Sequence, residues 1–152
     1  EPDELSDPAF DELLNYWEAR RRGRNIPARA DIDPIHFPRL LPRVFMVRVD
    51  RAPLSFVYSL AGGENVEAHG RNFTGMDVRE LDGWWPGYGS SLHEFYSLVV
   101  HGGVPLAASG TMSFVDREFR AFEALYLPLA AQDGDIGHIM GVALYGSVEA
   151  VA

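Results

Sequence analysis

The chain is 152 residues long with a formal net charge of -9, and its 13 basic side chains are all arginine, with neither lysine nor cysteine present. Without cysteine there are no disulfides, thiolate metal sites, iron–sulfur clusters or cysteine nucleophile, and without lysine no Schiff base or phosphate-loop lysine. The charge opposes broad affinity for nucleic acid or anionic membrane, and no run of 18 apolar residues is present to span a bilayer. At 47% hydrophobic residues, the length suits one domain that buries roughly 70% of its unfolded surface.

Residues 8–22 read as a helix. Phe10, Leu13, Leu14 and Trp17 recur at i, i+3, i+4 and i+7, Asp7 before Pro8 is a cap-then-proline start, and Gly23 is a stop. Arg20, Arg21 and Arg22 are expected in its last turn, where cations complement the helix dipole. Residues 24–33 read as an extended linker. A turn or two of helix should follow over 34–41, closed by Pro42.

The period then changes. Residues 43–50 and 54–61 read as a hairpin, with Phe56, Tyr58 and Leu60 on one face of the second strand. A short helix between Gly62 and Gly70, a turn-rich stretch over 72–81 and a loop around Trp84 and Trp85 come next. Ser90 or Ser91 caps a helix to Val100 with a Leu92, Phe95, Tyr96 and Val99 stripe, ended by Gly102 and Gly103. Three strands, 104–115, 119–129 and 137–148, complete the chain, with turns at 116–118 and 132–135.

Five strands interrupted by one helical insertion give the α+β class. The first two strands pair, the last three meander, and strand five closes on strand one to make a cup lidded by short helices. Residues 1–42 form an N-terminal helix and proline-rich linker, and 43–152 the core, in a single domain overall.

The chemistry-bearing residues are sparse. No serine lies in a nucleophile-elbow setting, and His36, His69, His93, His101 and His138 show no pair at the i, i+4 spacing that holds zinc on one helix face. Gly87-Tyr88-Gly89 lacks the third glycine of a dinucleotide fingerprint. Asp31 and Asp33, with Arg29 close by, read as caps of the turn at Pro34 with a local arginine pair in preference to an acid–base couple. Glu123 interrupts an apolar strand, so either it points to solvent or it faces the cup and needs a proton or a cation there. Arg20, Arg21, Arg22 and Arg24 form the one concentrated basic patch.

The succession Leu14-Asn15-Tyr16-Trp17, Arg22-Gly23-Arg24, Ile26-Pro27-Ala28-Arg29-Ala30-Asp31-Ile32-Asp33-Pro34 and Leu41-Pro42 resembles a bacterial PAS-like family long catalogued as a domain of unknown function. Tyr58-Ser59-Leu60-Ala61-Gly62, Gly70-Arg71-Asn72-Phe73-Thr74-Gly75 and Leu127-Pro128-Leu129 extend the likeness over roughly residues 10–147. The family usually has arginine where this chain has Ser59, and often threonine at Gly63, so a contact made by that arginine is not carried over. The resemblance implies a PAS fold, a five-stranded antiparallel sheet with helices enclosing a hollow, and a role in sensing small molecules or in dimerisation. It also implies that the light-sensing flavin adduct, which needs cysteine, is not formed here.

These readings combine into a non-enzymatic sensory module, cytoplasmic, that binds a small and largely apolar ligand non-covalently and requires no particular cofactor or metal. The expected wall is Phe45, Val47, Phe56, Tyr58, Trp84, Trp85, Phe95, Tyr96, Glu123, Leu125, Tyr126 and His138. The expected partner surface, for a second copy of the chain or a signalling protein, is Phe10, Leu13, Leu14, Trp17, Arg20, Arg21 and Arg24. That helix must lay its stripe either on the outer sheet face or on a symmetry mate. The competing readings are an interaction module with a filled core, and a small isomerase or hydrolase using Glu123 and His138 as acid and base.

Overall fold

The computed structural model of the chain describes residues 7–33, 36–115 and 117–147. Pro34 as a helix start, Asp116 of the expected turn and Val148 of the last strand lie outside them. The elements run α1 (Pro8–Arg20), β1 (Val44–Asp50), β2 (Ser55–Ala61), α2 (Gly63–His69), α3 (Tyr88–Gly102), β3 (Leu106–Met112), β4 (Arg117–Ala130) and β5 (Ile136–Ser147), with short 3₁₀ turns between them. The strands form one antiparallel sheet of order β2-β1-β5-β4-β3. The expected hairpin, meander and closure of strand five on strand one are all present.

Both faces of the sheet are covered. On the outer face Val44, Met46, Leu125, Leu127, Leu129, Met140 and Val142 meet Phe10, Leu13 and Trp17 of α1. On the inner face Phe45, Val47, Val49, Phe56, Tyr58, Ala124, Tyr126, Ile139 and Ala143 meet the helical insertion. The two sets alternate along each strand because successive side chains leave a strand on opposite sides.

Helix α1 starts as its sequence dictates, with the Asp7 carboxylate accepting from the Ala9 amide at 2.8 Å and Pro8 in the first turn. It ends at Arg20, two residues earlier than the periodicity suggests, and Arg22 and Gly23 then take positive φ values of 53° and 84°. Only Arg20 of the arginine cluster is therefore helical. The apolar stripe is consumed within the chain: Phe10, Leu13 and Trp17 are buried, and the Trp17 indole N–H donates to the Pro128 carbonyl at 2.8 Å. Of the two expected destinations for that stripe, the molecule uses its own sheet.

Several boundaries differ from the sequence reading for physical reasons. Pro42 does not stop the segment before it but lies inside a 3₁₀ run, Pro38–Arg43, whose consecutive tight turns tolerate one missing donor. A 3₁₀ turn over Arg29–Asp31 interrupts the expected extended linker. In β2 a bulge opposite Met46 and Val47 shifts the register, so Leu60 is exposed while Phe56 and Tyr58 stay buried inside. Helix α3 begins at Tyr88, before the expected serine caps, and the Asp82 carboxylate accepts from both the amide and the hydroxyl of Ser90. It can approach so closely because residue 89 is glycine: a Cβ there would lie 2.3 Å from the Val78 carbonyl oxygen.

If α1 belongs to the fold rather than to a detachable arm, Trp17→Ala removes a buried ring and leaves the Pro128 carbonyl without its donor. The expected loss is about 3–5 kcal/mol in urea unfolding, within one cooperative transition. A loss below about 1 kcal/mol would mean that the helix does not dock.

Candidate functional site

Between the inner sheet face and the helical insertion lies a hollow of about 390 Å³. It exists because the inner face is uneven. Residue 141 is glycine opposite Phe45, where a Cβ would stand 2.1 Å from the ring, so Phe45 lies down over β5. Residues 108, 124 and 143 are alanines, and Gly110 on edge strand β3 adds no side chain. Beside the large rings, these small residues leave the space open.

Of the expected wall residues, the fold brings together Phe45, Tyr58, Phe95, Tyr96 and Tyr126. Phe95 and Tyr126 are in edge contact, with centroids 4.6 Å apart, and Tyr126 also meets Phe45 and Tyr96 at 5.7 and 5.9 Å. Val47 and Phe56 lie one layer behind, in the inner core, where Phe56 packs on Tyr96 at 5.6 Å. Trp85 is buried behind His69 and Tyr88, and Trp84 is half-buried beneath the Arg71 guanidinium.

Glu123, Leu125 and His138 are on the other side of the sheet. Pairing Glu123 with Leu144, Leu125 with Val142 and Leu129 with His138 places all three residues on the outer face, the face that holds Leu127 and Met140. Leu125 is part of the bed of α1. Glu123 and His138 are six register positions apart, about 20 Å along the ladder, so they form no acid–base pair. Among the described residues no group of three or more acidic or histidine ligands could hold a metal ion.

The hollow also gathers residues that the sequence did not single out. Asn65 is fully buried; its amide N–H donates to the Val44 carbonyl at 3.0 Å and its side-chain oxygen accepts from the Tyr145 hydroxyl at 2.7 Å. His69 Nδ1 lies 2.8 Å from the Asn65 carbonyl, which can only accept, so this nitrogen carries the proton. Its Nε2 lies 2.8 Å from the Tyr88 hydroxyl. The only hint in the sequence is Asn65 and His69 one turn apart in a helix framed by glycines. Tyr58 and Tyr96 join hydroxyls at 2.8 Å, and burial pushes the phenols of Tyr58, Tyr96, Tyr126 and Tyr145 upward, holding them protonated.

The charged groups stand elsewhere. Asp31 pairs with Arg24, and more distantly with Arg22 at 3.9 Å, rather than with Arg29; these contacts hold its carboxyl below the usual range. Arg20 and Arg21 lie over the rings of Tyr16 and Trp17. No helix of the described residues is long and apolar enough to cross a membrane.

A five-stranded antiparallel sheet with a helical insertion over its inner face and a hollow between them defines an α+β domain. The chain belongs to the PAS domain family, whose model matches residues 5–144. The fold is similar to the PAS domain of BvgS from Bordetella pertussis, with a TM-score of 0.57 and 18% identity over 79% of this chain and 91% of that one. It is also similar to a sensory box sensor histidine kinase from Vibrio cholerae, with a TM-score of 0.51 and 15% identity over 75% of this chain and 92% of that one. No curated protein matches the sequence.

Two histidines give the fold a pH dependence. His93 and His138 each have a buried Nδ1 without a hydrogen-bond partner, and burial lowers both pKa values, with Arg79 adding to the effect at His93 and Arg29 and Arg48 at His138. A histidine held below its unfolded value of 6.5 takes up a proton in the unfolded chain first, so stability falls as pH drops through and below that value. The urea midpoint is expected to be lower at pH 5.5 than at 7.5, with a shallower slope in the His93→Gln/His138→Gln variant. A midpoint that is flat or rises toward pH 5.5 would contradict this.

Proposed function

We propose that this chain is a non-enzymatic sensory or regulatory PAS module that holds a small, largely apolar molecule non-covalently in its hollow and passes occupancy to a protein partner. The observation that carries the reading is the open space of about 390 Å³ walled by Phe45, Tyr58, Phe95, Tyr96 and Tyr126, within the range of about 300–1,000 Å³ usual for ligand pockets. A domain of this size gains stability from filling its interior, so a hollow this large at the centre of the sheet favours an occupant over a purely structural core. Membership of a family with sensory members agrees with this, as does the lack of an assembled Glu123–His138 pair.

The output surface in this reading is the outward side of α1 and the segment after it. Leu14 and Arg20 are half-buried there, and Arg21 and Arg24 are exposed. With Phe10, Leu13 and Trp17 committed to the sheet, a second copy of the chain would dock on this outward side and not on the apolar stripe. The net charge of -9 leaves ample acidic surface to complement the arginines.

Native mass spectrometry of the purified chain tests both parts together. A bound small molecule and a dimer mass are expected, with the molecule lost in Ala108→Trp, whose side chain fills the hollow, while circular dichroism stays unchanged. A parent chain that never carries or is stabilised by any member of a metabolite pool would defeat the ligand reading. A monomer at all concentrations would defeat the docking of a second copy.

A further inference from the structure

The hollow has a polarity that its aromatic walls conceal. Tyr126 lines the hollow and is 6% exposed, and its hydroxyl makes no hydrogen bond to any described residue. A buried phenol in this position is costly unless something accepts from it. The Tyr58–Tyr96 pair adds to the demand, because one of the two hydroxyls donates to the other and the second proton is left without an acceptor. The walls therefore offer donors and call for an acceptor.

Size and charge narrow the occupant further. A cavity of about 150 Å³ accommodates benzene, so one of about 390 Å³ accommodates two to three rings. The described lining residues include no arginine, aspartate or glutamate, and both ring nitrogens of His69 are engaged by Asn65 and Tyr88. An ion placed there would lose its hydration without gaining a countercharge. The rings of Phe45 and Phe95 stand at 66° and 64° to that of Tyr126, presenting both faces and edges, an arrangement that suits a flat aromatic guest.

We propose that the hollow takes a neutral, planar aromatic molecule of about two fused rings bearing one hydrogen-bond acceptor, seated with that acceptor on the Tyr126 hydroxyl. This assignment rests on the ligand-binding reading above and specifies its chemistry. Three probes of matched shape separate the components: quinoline, which has an acceptor, naphthalene, which has none, and 2-naphthoate, which is charged. Titration against the full chain at neutral pH should rank quinoline above naphthalene and naphthalene above 2-naphthoate. Tyr126→Phe should weaken quinoline roughly threefold to tenfold, the net worth of one hydrogen bond, and leave naphthalene within twofold. In the parent chain, the Tyr126 hydroxyl proton resonance should move downfield with quinoline and not with naphthalene, which reads the contact without any substitution.

Tightest binding by 2-naphthoate would overturn the neutral class, and an unchanged quinoline affinity in Tyr126→Phe with a silent Tyr126 resonance would overturn the acceptor contact. If none of the three probes binds while another molecule accompanies the purified protein, the aromatic assignment fails and the sensory reading stands. If nothing binds at all, both fall.

Discussion

Along β4, Phe122, Ala124 and Tyr126 leave the strand on one side and Leu125, Leu127 and Leu129 on the other, and both sides must be kept from water. This two-sided alternation governs the rest of the molecule. The outer side needs a cover, which α1 supplies with Phe10, Leu13 and Trp17 and fixes through the indole bond to Pro128. The inner side needs another, supplied by the insertion between β2 and β3. A shift of one residue in register would exchange the wall of the hollow with the bed of α1.

The hollow follows from how unevenly the inner side is furnished. Alanines at 108, 124 and 143 and glycines at 110 and 141 sit beside phenylalanines and tyrosines, so the large rings rest on the gaps left by small residues without closing them. The polar atoms nearby are mostly organised by protein: Asn65 orders Tyr145 and the Val44 carbonyl, and His69 links Tyr88 to the same helix. The Tyr126 hydroxyl and one proton of the Tyr58–Tyr96 pair are not, and these residues line the hollow. None of the described acidic side chains is buried, so the surface charge stands apart from the hollow.

The element order, the sheet topology and the α1 stripe were legible because they depend on period, caps and glycine stops, which are local. The facing of individual strand residues was not. A strand buried on both sides loses the apolar–polar alternation that marks which side is in, and in residues 121–129 every neighbour of Glu123 is apolar. Hence Glu123, Leu125 and His138 were expected in the hollow, and the register puts them outside it. Leu60 was misplaced by a bulge that leaves no compositional mark. Asn65, His69 and Tyr145 were missed because their meeting depends on contacts across 80 positions of chain.

Everything above rests on the space lined by Leu92, Phe122 and Tyr126 being a real hollow and not a gap that closes in solution. A crystal of the chain pressurised with xenon tests it most directly, since xenon enters dry apolar cavities and little else. Xenon density, or an already bound molecule, is expected against Leu92, Phe122 and Tyr126 with the sheet and α3 unmoved. Leu92 collapsed onto Phe122, with no density between them, would show instead that the hollow closes.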